Sequence, residues 1–228
     1  LNLLGLASGL TVFILITLYV QYEFSFDSYH VNKDRIYRVV KEDVDNYYMG
    51  TYRFVVTPPR LGPALLNDYP AVEYATRIAP VGNRLIGVRD ESFLETSIHG
   101  ADPETFKIFT MRAVSGNPEE FLKGKNTAVL SKSIATKYFG NGNPIGEVIR
   151  YKDEQPFTVT GVIEDMPTNS HFGMDIILDY ESVMEADGRD LTQWNSNSFY
   201  TYFLLREGAD PANLEAKFHA LREKYIEQ

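Results

Sequence analysis

No charged residue occurs in this chain before Glu23. Nothing else in the sequence restricts its fold as much, because a helix built from such residues has no polar face to turn toward water. Twelve of the first 20 residues are Leu, Ile, Val or Phe. At roughly −0.5 kcal/mol each, they favour membrane insertion by on the order of 6 kcal/mol before the polar residues subtract. Twenty helical residues measure about 30 Å, the thickness of a bilayer's hydrocarbon core. Residues 1–23 therefore read as a transmembrane helix. Tyr19, Tyr22 and Phe24 fit an interfacial aromatic belt at its end. Gly5 and Gly9 form a small-xxx-small pair, which lets a second helix approach. A cleaved signal peptide needs small residues at its cleavage site, and VQYEFSFDSY supplies bulky ones. A buried core helix rarely stays uncharged for so long. Glu23 and Asp27 precede Lys33, which points the helix's C-terminal end to the non-cytoplasmic side. The missing initiator Met reads as a start inside a longer natural chain.

The other residues have ordinary globular chemistry. Of 228 residues, 44% are hydrophobic and 23% charged, enough for one large domain or two small ones. A net charge of −9 gives no electrostatic footprint for nucleic acid. Without cysteine there is no disulfide framework and no thiolate metal site. RIYRVVKEDV, residues 35–44, reads as a strand. TPPRLGPALLNDY reads as a helix with Thr57 at the N-cap, Pro58 at its first turn, and Leu61, Leu65 and Leu66 buried. VEYATRIAP, NRLIGVRD and SFLETSIHGAD read as strands, and Asp102-Pro103 as the cap of a short helix holding Phe106 and Phe109. TAVL is a buried strand. SKSIATKYFG is a helix capped by Ser131, stopped by Gly140, with Ile134, Ala135 and Tyr138 on one face. EVIRYK and PFTVTGVIEDM are paired strands. MDIILDY and FYTYFLL are further strands, and Asp210-Pro211 opens a helix striped by Leu214, Phe218, Leu221 and Tyr225. Strands and short helices mix without βαβ regularity, so the fold class is α+β.

The sequence carries few motifs of catalysis or ligand binding. No Walker-type phosphate cradle occurs. GNGNPIG follows a helix and contains Pro, so it reads as a turn. His30, His99, His171 and His219 have no paired spacing and read as surface or loop residues rather than metal ligands. Asp43-Val44-Asp45-Asn46 starts like a calcium loop but carries Tyr48 where Gly is required. Glu164-Asp165, considered with Trp194 as a glycosidase pair, reads as a solvated turn. Ser131, Ser133 and Ser170 lack a nucleophile elbow. GTYRFVVTPP could feed a binding surface, with core packing the simpler account. No catalytic, cofactor-binding or metal residue emerges, which argues against an enzyme.

Several stretches together resemble a known family. NLLGLASGLTVFILITLYVQYEFSFDSYHVNKDRIYRVV resembles the first transmembrane helix and following strand of MacB-type ABC transporter permeases. TPPRLGPALLNDYPAVEYATRI, VLSKSIATKYFGNGNPIGEVI and VTGVIEDMPTNSHF resemble the same family's extracytoplasmic core domain, the last two most specifically. The resemblance runs from Leu1 to Gln228 and implies a permease with an FtsX-like region beyond this portion. It implies a transmembrane helix at 1–23 and a two-part extracytoplasmic domain, a porter-like part at 24–101 and 174–228 with a smaller β-rich insertion at 102–173. It further implies a cytoplasmic ATPase partner carrying ATP and Mg, a homodimer or related permease heterodimer, and a periplasmic adaptor as a further partner. The location implied is the inner membrane with the domain outside. The work implied is mechanical, ATP-driven motion passed outward to export or extract a substrate. A single-helix sensor ectodomain stays open as the alternative.

Overall fold

A computed structural model of the chain describes residues 2–46 and 50–225. The opening run is one helix, α1 (Asn2–Phe24), none of whose residues is buried. Its mean hydropathy reaches 2.2, and it is long and apolar enough to cross a membrane. Then come β1 (Ile36–Arg38), β2 (Lys41–Asn46), β3 (Gly50–Phe54), α2 (Leu61–Asp68), β4 (Val72–Pro80), β5 (Arg84–Val88), β6 (Glu91–Glu95) and β7 (Ile98–Ala101). These lead to α3 (Thr105–Ile108), β8 (Ala113–Ser115), β9 (Thr127–Ser131), α4 (Lys132–Phe139), β10 (Val148–Tyr151) and β11 (Gln155–Ile163). The chain continues through β12 (Ile176–Asp179), α5 (Tyr180–Ala186), β13 (Tyr200–Leu205), α6 (Pro211–Glu215) and α7 (Phe218–Tyr225). The domain is thus mixed α+β, an apolar helix followed by a sheet-rich body.

Among the described residues one sheet runs β1-β13-β4-β7-β12-β9-β11-β10-β5-β6, with β8 beside β11. The pairs β7/β12 and β9/β11 are parallel, and the other pairs in this sheet are antiparallel. Strands from 24–101 and 174–228 fill the β1 to β12 side, those from 102–173 follow, and the β5–β6 hairpin lies beyond them. The central strands are buried on both faces. Ala128, Leu130, Ile176 and Leu178 pack on one side under α4 and α5. Val129 and Ile177 pack on the other with Phe109, Phe172 and Tyr202. That two-residue alternation, with both phases apolar, is what a sheet covered on both faces requires. A third cluster joins Leu61 and Leu65 of α2 to Phe203, Leu214 and Leu221. Gly161 in β11 is needed for a close approach, since a Cβ there would stand 2.1 Å from the Phe121 ring.

Local signals hold where the partner is local. Ser131 accepts from the Ile134 N–H, Gly140 ends α4, and Asp210 caps α6 with Pro211 at its first turn. The stripe of Leu214, Phe218, Leu221 and Tyr225 packs into the third cluster, although the helix breaks between α6 and α7. Several expectations fail, and SFLETSIHGAD, expected as one strand, is the two strands β6 and β7, which do not pair with each other. The 35–44 strand is two strands, β1 and β2, that join different sheets. Thr57 does not cap α2, which starts at Leu61 without a side-chain cap. The Thr57 hydroxyl lies 2.7 Å from that of Thr201 instead, and Leu66 is 42% exposed. Asp102 does not cap α3. Its carboxylate grips Arg77 at 2.7 and 2.9 Å and also accepts the Arg77 N–H at 2.8 Å. The β2–β3 hairpin stands apart from the main sheet and leaves Tyr52 41% exposed beside Phe54. Core packing therefore does not account for that part of GTYRFVVTPP.

Arg77 is the hub between β4, the end of β7 and α5. Its guanidinium also donates to the Pro59 carbonyl at 3.2 Å and lies 4.0 Å over the Tyr180 ring. Removing one member of a buried ion pair strands the other charge. Asp102→Ala is expected to cost about 3–5 kcal/mol in chemical denaturation; a loss under about 1 kcal/mol would show that Arg77 finds water instead.

Candidate functional site: the joint between helix and domain

A chain with one external helix and a rigid sheet has its distinctive chemistry where the two meet. The last carbonyls of α1 need local donors, because helix ends leave them unpaired. The chain turns to supply them. The Ser25 N–H donates to the Tyr22 carbonyl at 3.0 Å, and the Ser25 hydroxyl to the same carbonyl at 2.6 Å. Asp27 then takes a left-handed conformation, φ 55°, which an Asp side chain tolerates.

This turn is fastened to the loop joining β11 and β12. The Asp27 N–H donates to the Asn169 carbonyl at 2.9 Å. The Asn169 amide donates back to the Ser25 carbonyl at 3.0 Å and its hydroxyl at 2.9 Å. The Tyr22 hydroxyl donates to the Thr168 carbonyl at 3.0 Å, and that of Tyr29 to the Ser170 hydroxyl at 2.9 Å. The Asp27 carboxylate accepts the His171 N–H at 3.1 Å and faces its Nδ1 at 2.7 Å. A carboxylate only accepts, so Nδ1 carries a proton. His171 Nε2 reaches the Tyr202 hydroxyl of β13 at 3.1 Å.

His30 closes the joint from the other side. Its Nδ1 accepts the Thr110 N–H at 3.1 Å, while the Thr110 hydroxyl accepts the Val31 N–H at 2.9 Å. Burial pushes its imidazole below the usual histidine value, opposed by the nearby Asp27 charge. Beneath lies an aromatic cluster, with Phe109 at 5.1 Å from Phe172 and 5.2 Å from Tyr202. Arg35 pins the next segment by donating to Glu73 at 3.0 Å and to the Leu205 carbonyl at 2.9 Å. Each net hydrogen bond is worth about 1 kcal/mol. The joint therefore rests on several bonds sharing a load.

Of the expected site residues, Tyr22 joins this network while staying 44% exposed, and Tyr19 and Phe24 are 64% and 85% exposed. Gly5 and Gly9 have no atom within 4 Å of a built Cβ, so any helix they admit belongs to another span or chain. Asp165 accepts the Ser133 N–H at 2.9 Å and its hydroxyl at 2.6 Å, a role at the start of α4. Trp194 stacks on Tyr225 at 4.7 Å. His99 departs from the surface-or-loop expectation. It lies in β7, and burial lowers its pKa to about 4. His30, also expected at a surface or in a loop, is in the loop but only 3% exposed. Tyr48 lies outside the described residues. Among the described residues, no cluster of His, Cys, Asp and Glu could hold a metal. Sequence reasoning missed Asp27, Asn169 and His171. The signal available was TNSH, the polar run inside the most specific stretch of the resemblance.

Comparison with known proteins bears on what such a joint serves. The model of the MacB-like periplasmic core domain matches residues 1–221. A domain of a protein described as a permease, from Porphyromonas gingivalis, is 24% identical with TM-score 0.74, over 86% of this chain and 83% of that one. The periplasmic region of MacB from Actinobacillus actinomycetemcomitans is 16% identical with TM-score 0.58, over 75% of this chain and 76% of that one. The extracellular domain of the ABC-type transporter YknZ from Gram-positive bacteria is 17% identical with TM-score 0.50, over 70% of this chain and 79% of that one. No curated protein matches.

Asp27→Ala and Asn169→Ala are each expected to lower stability by about 1–3 kcal/mol and to speed amide hydrogen exchange selectively at 25–31 and 168–171. Exchange rates there that match the unsubstituted chain would mean the joint is held by packing alone.

Proposed function

The chain belongs to the family of MacB-like periplasmic core domains, and from that premise we propose that it transmits ATP-driven motion from a cytoplasmic partner to a periplasmic substrate. The family places it as the periplasmic domain of an ABC-type transporter permease, with one apolar helix before it. The observation that carries the mechanical reading is the joint. Between Phe24 and Ile36 the chain has no free linker. It is bonded to the β11–β12 loop through Ser25 and Asp27, to Thr110 through His30 and to Glu73 through Arg35. A displacement of α1 along its axis would be passed to the two strands at the loop's ends, to β12, buried on both faces, and to β11, buried on both faces at Gly161–Ile163.

In this reading ATP and Mg act in a separate or fused ATPase, and two permease protomers close together. The domain grips a substrate, an adaptor or both. The part built from 24–101 and 174–228 receives the force, and 102–173 is the smaller part carried with it. The inner membrane is where such an assembly works. No residue of this chain has a catalytic role.

The test uses the natural full-length protein. Purified from its own membranes in mild detergent, it should bring an ATPase with a Walker A motif. A four-residue Gly-Ser insertion after Ser28 should uncouple the machine. These 228 residues lack cysteine, so with any cysteine elsewhere in the full-length protein replaced by Ser, a spin label at Thr96→Cys reports the separation of two domains. ATP should change that separation in the parent and not in the insertion variant, while ATP hydrolysis continues in both. An unchanged response in the insertion variant would refute transmission through the joint.

A further inference from the structure

A groove of about 370 Å³ opens beside the joint, lined by His30, Lys33, Arg38, Phe109, His171 and Tyr202 among others. It begins a few residues beyond the end of α1, so it lies at the level where headgroups meet water if α1 spans the bilayer. That position rests on the membrane reading above.

Two exposed cations and one buried donor line the groove. Lys33 and Arg38 are both exposed, and neither has a carboxylate partner among the described residues. Arg38 sits opposite Tyr202 in the β1/β13 register, and its charge acts on the Tyr202 hydroxyl. The third donor is His30. Its Nδ1 accepts from Thr110, so the proton of the neutral ring sits on Nε2. That Nε2 is buried and has no hydrogen-bond partner, and the Asp27 carboxylate stands 3.9 Å away, too far to accept. A buried donor without an acceptor is costly and calls for an explanation. Asp27 also lines the groove, but its oxygens are engaged by His171. Ile36 and Phe109 give the groove an apolar side.

We propose that this groove binds the phosphodiester of an anionic phospholipid headgroup, with Lys33, Arg38 and His30 Nε2 as its donors. Exposed cations beside a membrane helix attract anionic lipid headgroups. The apolar side would take the carbons next to the phosphate. A lipid held there would brace the joint against the bilayer surface.

The whole chain, purified with α1 in neutral detergent, is titrated with phosphatidylglycerol, and bound lipid is counted by native mass spectrometry. One lipid per chain is expected. Lys33→Gln with Arg38→Gln should weaken retention on the order of tenfold. Lys125→Gln with Lys132→Gln, the same change of charge on exposed residues outside the groove, should leave it intact. Equal loss in both pairs, or none in either, overturns the site. Displacement by millimolar inorganic phosphate would overturn the headgroup assignment in favour of a free-phosphate site. Alkaline extraction separates the two readings. A chain stripped from membranes by alkali refutes the membrane helix itself, whereas a chain that stays but shows no groove-dependent lipid refutes only this proposal.

Discussion

The hydrogen bonds between Asp27 and the Asn169–His171 segment are what make one body out of a sheet and an apolar helix long enough to cross a membrane. Without them α1 would hang from the domain by an ordinary turn. With them the chain direction reverses at a left-handed Asp27, whose backbone and carboxylate are both occupied by the β11–β12 loop. His171 then passes the contact to Tyr202. The helix end is thus tied to three strands that are not adjacent to it in sequence.

The sheet suits that attachment. For the transmission proposed above, a loop between central strands is the stiffer attachment. Here β11 and β12 lie on either side of β9, with apolar residues packed above and below. Close-packed interiors deform little. Gly161 serves the same end, since its lack of a side chain lets Phe121 lie directly on β11. Arg77 and Asp102 stiffen the far side by binding β4 to the segment after β7.

How much of this could be read in the sequence depended on distance along the chain. α4 was legible end to end because Ser131, its apolar face and Gly140 are all local signals. TAVL was legible as a buried strand because Ala128, Val129 and Leu130 are apolar in both phases. Thr57 and Asp102 misled because capping residues are equally good long-range partners, and each spends its side chain on a distant strand. Splitting 35–44 into β1 and β2 needed knowledge of two different sheets. The joint was invisible, because Asp27 and His171 are 144 residues apart. Asn, Ser and His in a loop have no period to betray them.

Charge near the membrane is the remaining tension, and the fold resolves it. Lys33, Arg35, Arg38 and Lys41 all lie within 20 residues of the end of α1, a density that favours the cytoplasmic side when loops are short. The family places this domain in the periplasm. Long domains translocate largely regardless of charge, and these cations are not a bare flank. Arg35 is paired with Glu73 and fixed to the Leu205 carbonyl. Lys33 and Arg38 belong to the groove wall. Their positions follow from the domain's own packing rather than from a rule of insertion. A positive flank that would misorient a short loop is therefore compatible with an exported domain.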